Sequence, residues 1–142
     1  MRYDVFGHSA GAQMIHRYLL FQPECHFNRL VSSAAGRYCV PDPSIEFPYG
    51  LGVSSAATEP PNNYFGREVY VICGANDTDL NAPSLRHTPG ADARGLQRAR
   101  YFFTESSSIA SDGGYLFNWE YRTVPNVGHN GEEMAAYAAN LL

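Results

Sequence analysis

Three side chains in this sequence are of the types that together make an activated oxygen nucleophile: Ser9, Asp77 and His129. A serine hydroxyl is a poor nucleophile until an imidazole takes its proton. A carboxylate behind the imidazole fixes its tautomer and steadies the cation that forms. The serine lies in Gly7-His8-Ser9-Ala10-Gly11, between a β-forming run that starts at Tyr3 and an apolar-periodic segment from Ala12 to Phe21. Gly-x-Ser-x-Gly at a strand-to-helix turn holds the serine in a strained, near-left-handed backbone and lifts its hydroxyl clear of the sheet. A side chain at either Gly7 or Gly11 is expected to strike the neighbouring strand or helix. The helix beneath the serine aims free N–H groups and its positive dipole end at the same spot, which suits an oxygen anion. Taken alone, the five-residue pattern fits equally well a small-residue turn that lets a helix pack closely on a strand. The rest of the chain separates the two readings.

Asp77 stands in the polar turn Gly74-Ala75-Asn76-Asp77-Thr78-Asp79, and His129 in the loop Pro125-Asn126-Val127-Gly128-His129-Asn130. Each of the three candidates falls just past the end of an expected parallel strand. Open α/β sheets carry their ligands at that edge. Asp79 is the alternative acid, with Asp77 preferred because it is nearer the strand end. His87 is the alternative base. His129 is preferred because Gly128 frees its backbone and the loop precedes the closing helix. His16 and His26 read as structural, on a helix and in the turn after it. His8 sits inside the motif, with its ring expected to turn away from the nucleophile and to pack or line the substrate pocket. Trp119 reads as core.

The elements that must position these residues are legible from periodicity. Met14, Ile15, Tyr18, Leu19 and Phe21 fall on one helical stripe after the serine, and Pro23 ends that helix. Arg29 to Gly36 reads as a strand running into a glycine loop, so strand, helix and strand form a βαβ unit of a parallel sheet. From Arg37 to Gly66 prolines and glycines break every pattern, while Tyr38, Phe47, Tyr49, Tyr64 and Phe65 supply aromatic surface. A segment this long without periodicity is expected to be a cap or wall over the active-site edge. Glu68 to Gly74 is nearly continuously apolar, as a strand covered on both faces must be. Pro83 to Gly95 is a loop, Leu96 to Ser111 a helix stopped by Gly113-Gly114, Phe117 to Val124 a half-buried strand, and Glu132 to Leu142 a closing helix. The sum is one α/β domain with a mostly parallel sheet of about four strands and flanking helices.

Composition narrows the class further. At 142 residues the chain suits one domain and not two. A net charge of −4 without a basic cluster argues against nucleic acid as the main partner. All ten basic residues are arginine, which excludes a P-loop lysine or a lysine Schiff base. Cys25, Cys39 and Cys73 match no zinc spacing, and no metal or cofactor is expected; a Cys25–Cys39 bridge is one option, while Cys73 reads as a buried small hydrophobe. No stretch reaches transmembrane length, and the opening residues read as strand and not as a secretory leader.

Gly-His-Ser-Ala-Gly-Ala-Gln followed by His-Arg-Tyr-Leu-Leu, Pro-Tyr-Gly at 48–50, Gly-Ala-Asn-Asp-Thr-Asp and Val-Pro-Asn-Val-Gly-His resemble the C-terminal half of an α/β-hydrolase. The flavour is that of the poly(3-hydroxybutyrate)-depolymerase-like esterases. The resemblance implies esterase chemistry on a small or polymeric acyl ester, with Ser9, Asp77 and His129 as the triad and the N–H of Ala10 as one oxyanion donor. The departure is that a complete fold of this type has several strands before the serine strand, and takes its second oxyanion donor from an early loop. The expectation is therefore a partial domain, weak or inactive by itself, since loss of one oxyanion donor costs about 10²–10³ in turnover. A bare edge on the serine strand would also invite self-association. The competing class is a non-catalytic α/β module that binds a partner through that edge.

Overall fold

A strand buried on both faces needs an apolar residue at nearly every position, and Glu68–Gly74 meets that need with Val69, Val71, Ile72 and Cys73, each 2% exposed or less. The computed structural model describes residues 1–22, 24–53, 63–80 and 94–142. Among these residues the elements run β1 (Tyr3–His8), α1 (Ala10–Phe21), β2 (Phe27–Ser33), β3 (Glu68–Gly74), α2 (Gly95–Asp112), β4 (Trp119–Val124) and α3 (Gly131–Ala138). The strands form one parallel sheet in the order β1-β2-β3-β4. Residues that alternate along β2 and β3 feed two cores. Leu30, Val71 and Cys73 join Ile15 and Leu19 of α1 and Phe102 of α2 on one face. Val31 and Ile72 join Met134 and Ala138 of α3 on the other. The architecture is the α/β fold expected from the sequence.

The buried stripe of α1 differs from the expected one. Ile15 and Leu19 are buried, but Met14 is 68% and Tyr18 46% exposed; Ala12, His16 and Leu20 complete the inner face. The reason is a second neighbour that periodicity cannot see. The segment after β2 packs beside α1, where the Cys39 N–H donates to His16 Nε2 at 3.0 Å and His16 Nδ1–H donates to the Ala12 carbonyl at 2.8 Å. Tyr38 of that segment stacks on Phe102, with ring centroids 4.6 Å apart. Tyr64 and Phe65 pack around Trp119. Tyr38, Tyr64 and Phe65 are thus core side chains and not surface, buried in the same cluster as Ile15 and Leu19 of α1 and Phe102 of α2. Pro23, residues 54–62 of the expected cap, and residues 83–93 of the expected loop, with His87, lie outside the described residues. Cys25, Cys39 and Cys73 are free thiols.

The two motif glycines also part company. A Cβ on Gly7 would stand 2.6 Å from the Gly11 carbonyl carbon and 2.7 Å from its oxygen, so β1 and α1 touch backbone to backbone. A Cβ on Gly11 would meet nothing within 4 Å. The collision expected at both positions is real at Gly7 alone, because Gly11 turns its missing side chain outward on the first turn of α1. Gly7→Ala should therefore destabilise by roughly 1–3 kcal/mol through overpacking. Gly11→Ala should be neutral or stabilise by up to about 1 kcal/mol through helix propensity. Urea midpoints of the two variants check both signs.

His16 supplies a second measurable consequence. Burial, opposed by its bond to Ala12 and reinforced by the neighbouring Arg17, lowers its pKa from 6.5 to about 4. The unfolded chain then binds a proton that the folded chain refuses. Stability from this residue is complete above pH 6.5 and is lost as the pH falls towards 4, by about 3 kcal/mol in all. Denaturation at pH 7 and at pH 4.5 should show that loss, and His16→Gln should flatten it.

Candidate active site

Parallel strands end at a common edge, so β1, β3 and β4 each deliver one polar side chain to the same place. Ser9 leaves β1 with φ 55° and ψ −113°, the strained backbone that the motif demands. Its N–H donates to the Ser33 carbonyl at 2.9 Å, and its own carbonyl accepts the Gln13 N–H at 3.1 Å as α1 winds away. A serine in this position commonly caps the helix with its hydroxyl. Here Ser9 makes no side-chain cap, and its Oγ–H donates instead to His129 Nε2 at 3.1 Å. The first-turn N–H groups of α1, Ala10 among them, are left without intrahelical partners beside that hydroxyl.

His129 arrives on the loop after β4. Gly74 has no room for a Cβ against the carbonyls of Val127 and Gly128, so the end of β3 and the histidine loop touch through backbone. The Asn76 N–H donates to the Val127 carbonyl at 2.8 Å and tightens the contact. The left-handed residue of the loop is Asn126, at φ 62°, and not Gly128, where a Cβ would make only an ordinary contact 3.8 Å from the Asn76 carbonyl. Beyond the histidine, Asn130 caps α3: its Oδ1 accepts the Glu132 and Glu133 N–H groups at 3.1 Å each, and its Nδ2 donates to Glu133 Oε1.

Asp77 closes the relay. Its Oδ2 accepts His129 Nδ1–H at 2.8 Å, while the hydroxyl of Ser9 engages the opposite nitrogen. With the Ser9 hydroxyl donating to Nε2, the ring carries on Nδ1 the proton that Asp77 accepts. Asp79, by contrast, is solvent-exposed. The Asp77 carboxylate is 7% exposed and walled by Gly95, where any Cβ would collide with it. Burial alone would raise its pKa. The hydrogen bond and charge of His129, the Arg98 guanidinium and the Cys73 thiol outweigh that and hold it below 3.8. Cys73 donates its S–H to the same Oδ2 at 3.6 Å, and burial followed by the adjoining carboxylate pushes the thiol up to about 12, so it remains a donor. Buried Arg98 ties its Nε to the Ala35 carbonyl at 3.0 Å.

Ser9, Asp77 and His129 are thus brought together as the sequence order implied. His8, expected to pack or to line the pocket, packs against His129. Its ring centroid lies 4.7 Å from that of His129, because strand alternation sets it on the sheet face that α3 and the histidine loop share. Periodicity does not single out Cys73, Gly95, Ser33 or Asn130. Of these, Asn130 alone carried a sequence signal, an Asn-x-x-Glu start to a helix. Among the described residues no group of three His, Cys, Asp or Glu side chains could hold a metal ion, and no helix is long and apolar enough to cross a membrane.

With fold and geometry in place, two solved structures are informative. Poly(aspartic acid) hydrolase-1 from Sphingomonas sp. KT-1 superposes with a TM-score of 0.89 at 29% identity, over 99% of this chain and 54% of that one. LpqC, a poly(3-hydroxybutyrate) depolymerase from Bordetella parapertussis, superposes with a TM-score of 0.87 at 29% identity, over 98% of this chain and 47% of that one. No protein-family model and no curated protein matches the chain. The chain has an α/β-hydrolase-like fold and spans about half the length of these two hydrolases. The likeness supports a hydrolase in kind.

Proposed function

We propose that this chain carries the nucleophilic centre of a serine hydrolase that cleaves a carboxylic ester through an acyl-enzyme. The observation that carries the reading is the continuous relay from Asp77 Oδ2 through His129 to Ser9 Oγ, at 2.8 and 3.1 Å. Ser9 Oγ attacks the ester carbonyl carbon as His129 Nε2 takes its proton. The oxyanion so formed faces the Ala10 N–H and the positive end of α1. Collapse breaks the carbon–oxygen bond to the alcohol, which leaves with the proton from His129. Water then attacks the acyl carbon as His129 takes its proton; the bond from that carbon to Ser9 Oγ breaks, His129 returns the proton to Ser9 Oγ, and the acid departs. Asp77 keeps the Nδ1 proton in place throughout. The His129 side chain is 42% exposed, so an incoming ester can reach the pair. The substrate class is a hydroxyalkanoate or other acyl ester, small or polymeric, the first in line with the depolymerase neighbour.

A fluorophosphonate probe should label the chain at Ser9. Ser9→Ala should abolish labelling, and Asp77→Asn should slow it by about 10³–10⁴-fold by releasing the wrong imidazole tautomer. Peptide mapping of the adduct decides the matter: labelling that survives Ser9→Ala ends the proposal.

A second reading draws on the sheet edge. Among the described residues β1 pairs with β2 alone, and Tyr3 at its start is 52% exposed. An open strand edge of this kind is a template for a second copy of the chain. Sedimentation velocity should then show a dimer that Val5→Pro disperses; a monomer at every concentration would rule self-association out.

A further inference from the structure

His129 is held by hydrogen bonds at both ring nitrogens, and two in-plane bonds still leave the ring free to rock about the line that joins them. Something must press on a face. The His8 ring does so, at a centroid distance of 4.7 Å and a tilt of 44°. His8 is itself pinned, its Nδ1 lying 3.0 Å from the Oγ of Ser33, its register partner on β2. Ser33 is fully buried, and its carbonyl accepts the Ser9 N–H at 2.9 Å. One residue therefore fixes both the backbone of the nucleophile and the ring beside the base. From α3, Gly131 comes so near that a Cβ there would stand 3.1 Å from His8 Cδ2.

We infer that His8 is a positioning residue: anchored by Ser33, its ring is the wall that keeps the His129 imidazole in line with Ser9. The inference rests on the serine hydrolase reading. Burial, then the neighbouring His129, lower the pKa of His8 from 6.5, while Asp77 acts in the other direction. His8 is thus a neutral wall near neutral pH and adds no cation beside the base.

The test uses the whole chain, with fluorophosphonate labelling rate and the low-field proton resonance of His129 Nδ1–H as paired readouts. His8→Ala should slow labelling by about 10–100-fold, the cost of a slightly misplaced reacting group, and should broaden the resonance. His8→Phe restores a ring and should recover most of the rate and the sharp resonance. Ser33→Ala, which frees the His8 ring while leaving the Ser9 backbone bond, should fall between. A His8→Ala chain with the parent rate and resonance overturns the inference, as does a His8→Phe chain impaired as badly as His8→Ala. Should the parent chain fail to label while the resonance still depends on His8, the wall stands and the hydrolase reading falls.

Discussion

The site depends on one backbone contact, the meeting of Gly7 with the carbonyl of Gly11. A residue at φ 55° followed at once by a helix can exist only if the strand and helix it joins are pressed together hard enough to offset the strain. The absence of a side chain at Gly7 permits that approach, and Ile15 and Leu19 drive it by burying apolar surface against the sheet. Strain of this kind has a use. It turns the Ser9 hydroxyl away from the helix it would otherwise cap and delivers it, unpaired to backbone, to an imidazole. A relaxed turn would cap α1 and leave His129 without its partner.

The same economy of backbone recurs at the other strand ends. Gly74 lets the histidine loop rest on the tip of β3, and Gly95 leaves the space that the Asp77 carboxylate occupies. Three glycines, each empty for a different neighbour, set Ser9, Asp77 and His129 at hydrogen-bonding distance. The acid is then tuned by what surrounds it. Desolvation by itself would favour a protonated Asp77, and the donors His129 and Cys73, with Arg98 behind, reverse the outcome. Ionisation of a buried carboxylate is thus a property of the pocket that α2 closes.

How much of this could be read from the sequence follows from the range of the interactions involved. The Gly-x-Ser-x-Gly turn, the nearly continuous apolar run of β3 and the polar turns after β3 and β4 are local patterns, and they were legible. So was the meeting of Ser9, Asp77 and His129, because a parallel sheet converts order along the chain into proximity at one edge. What was not legible depends on contacts made far along the chain. Which face of α1 is buried is decided by Cys39 and Tyr38, 23 residues from His16 in the case of the Cys39 bond. Tyr38, Tyr64 and Phe65 looked like surface because no period marks a loop that fills a core. Gly11 matched the motif without sharing the steric burden of Gly7, and Gly128 was credited with a freedom that Asn126 and Gly74 supply.

His8 illustrates the limit most sharply. Its neighbour in sequence is Ser9, and from that alone its ring could have faced either side of the strand-to-helix turn. The direction is set by the pleat: Gly7 must face α1, so His8 must face α3, and the histidine loop ends where α3 begins. The constraint that empties Gly7 for the helix is therefore the one that places His8 against His129. A single requirement, a strand touching a helix, fixes the orientation of Ser9 and supplies His129 with a flank.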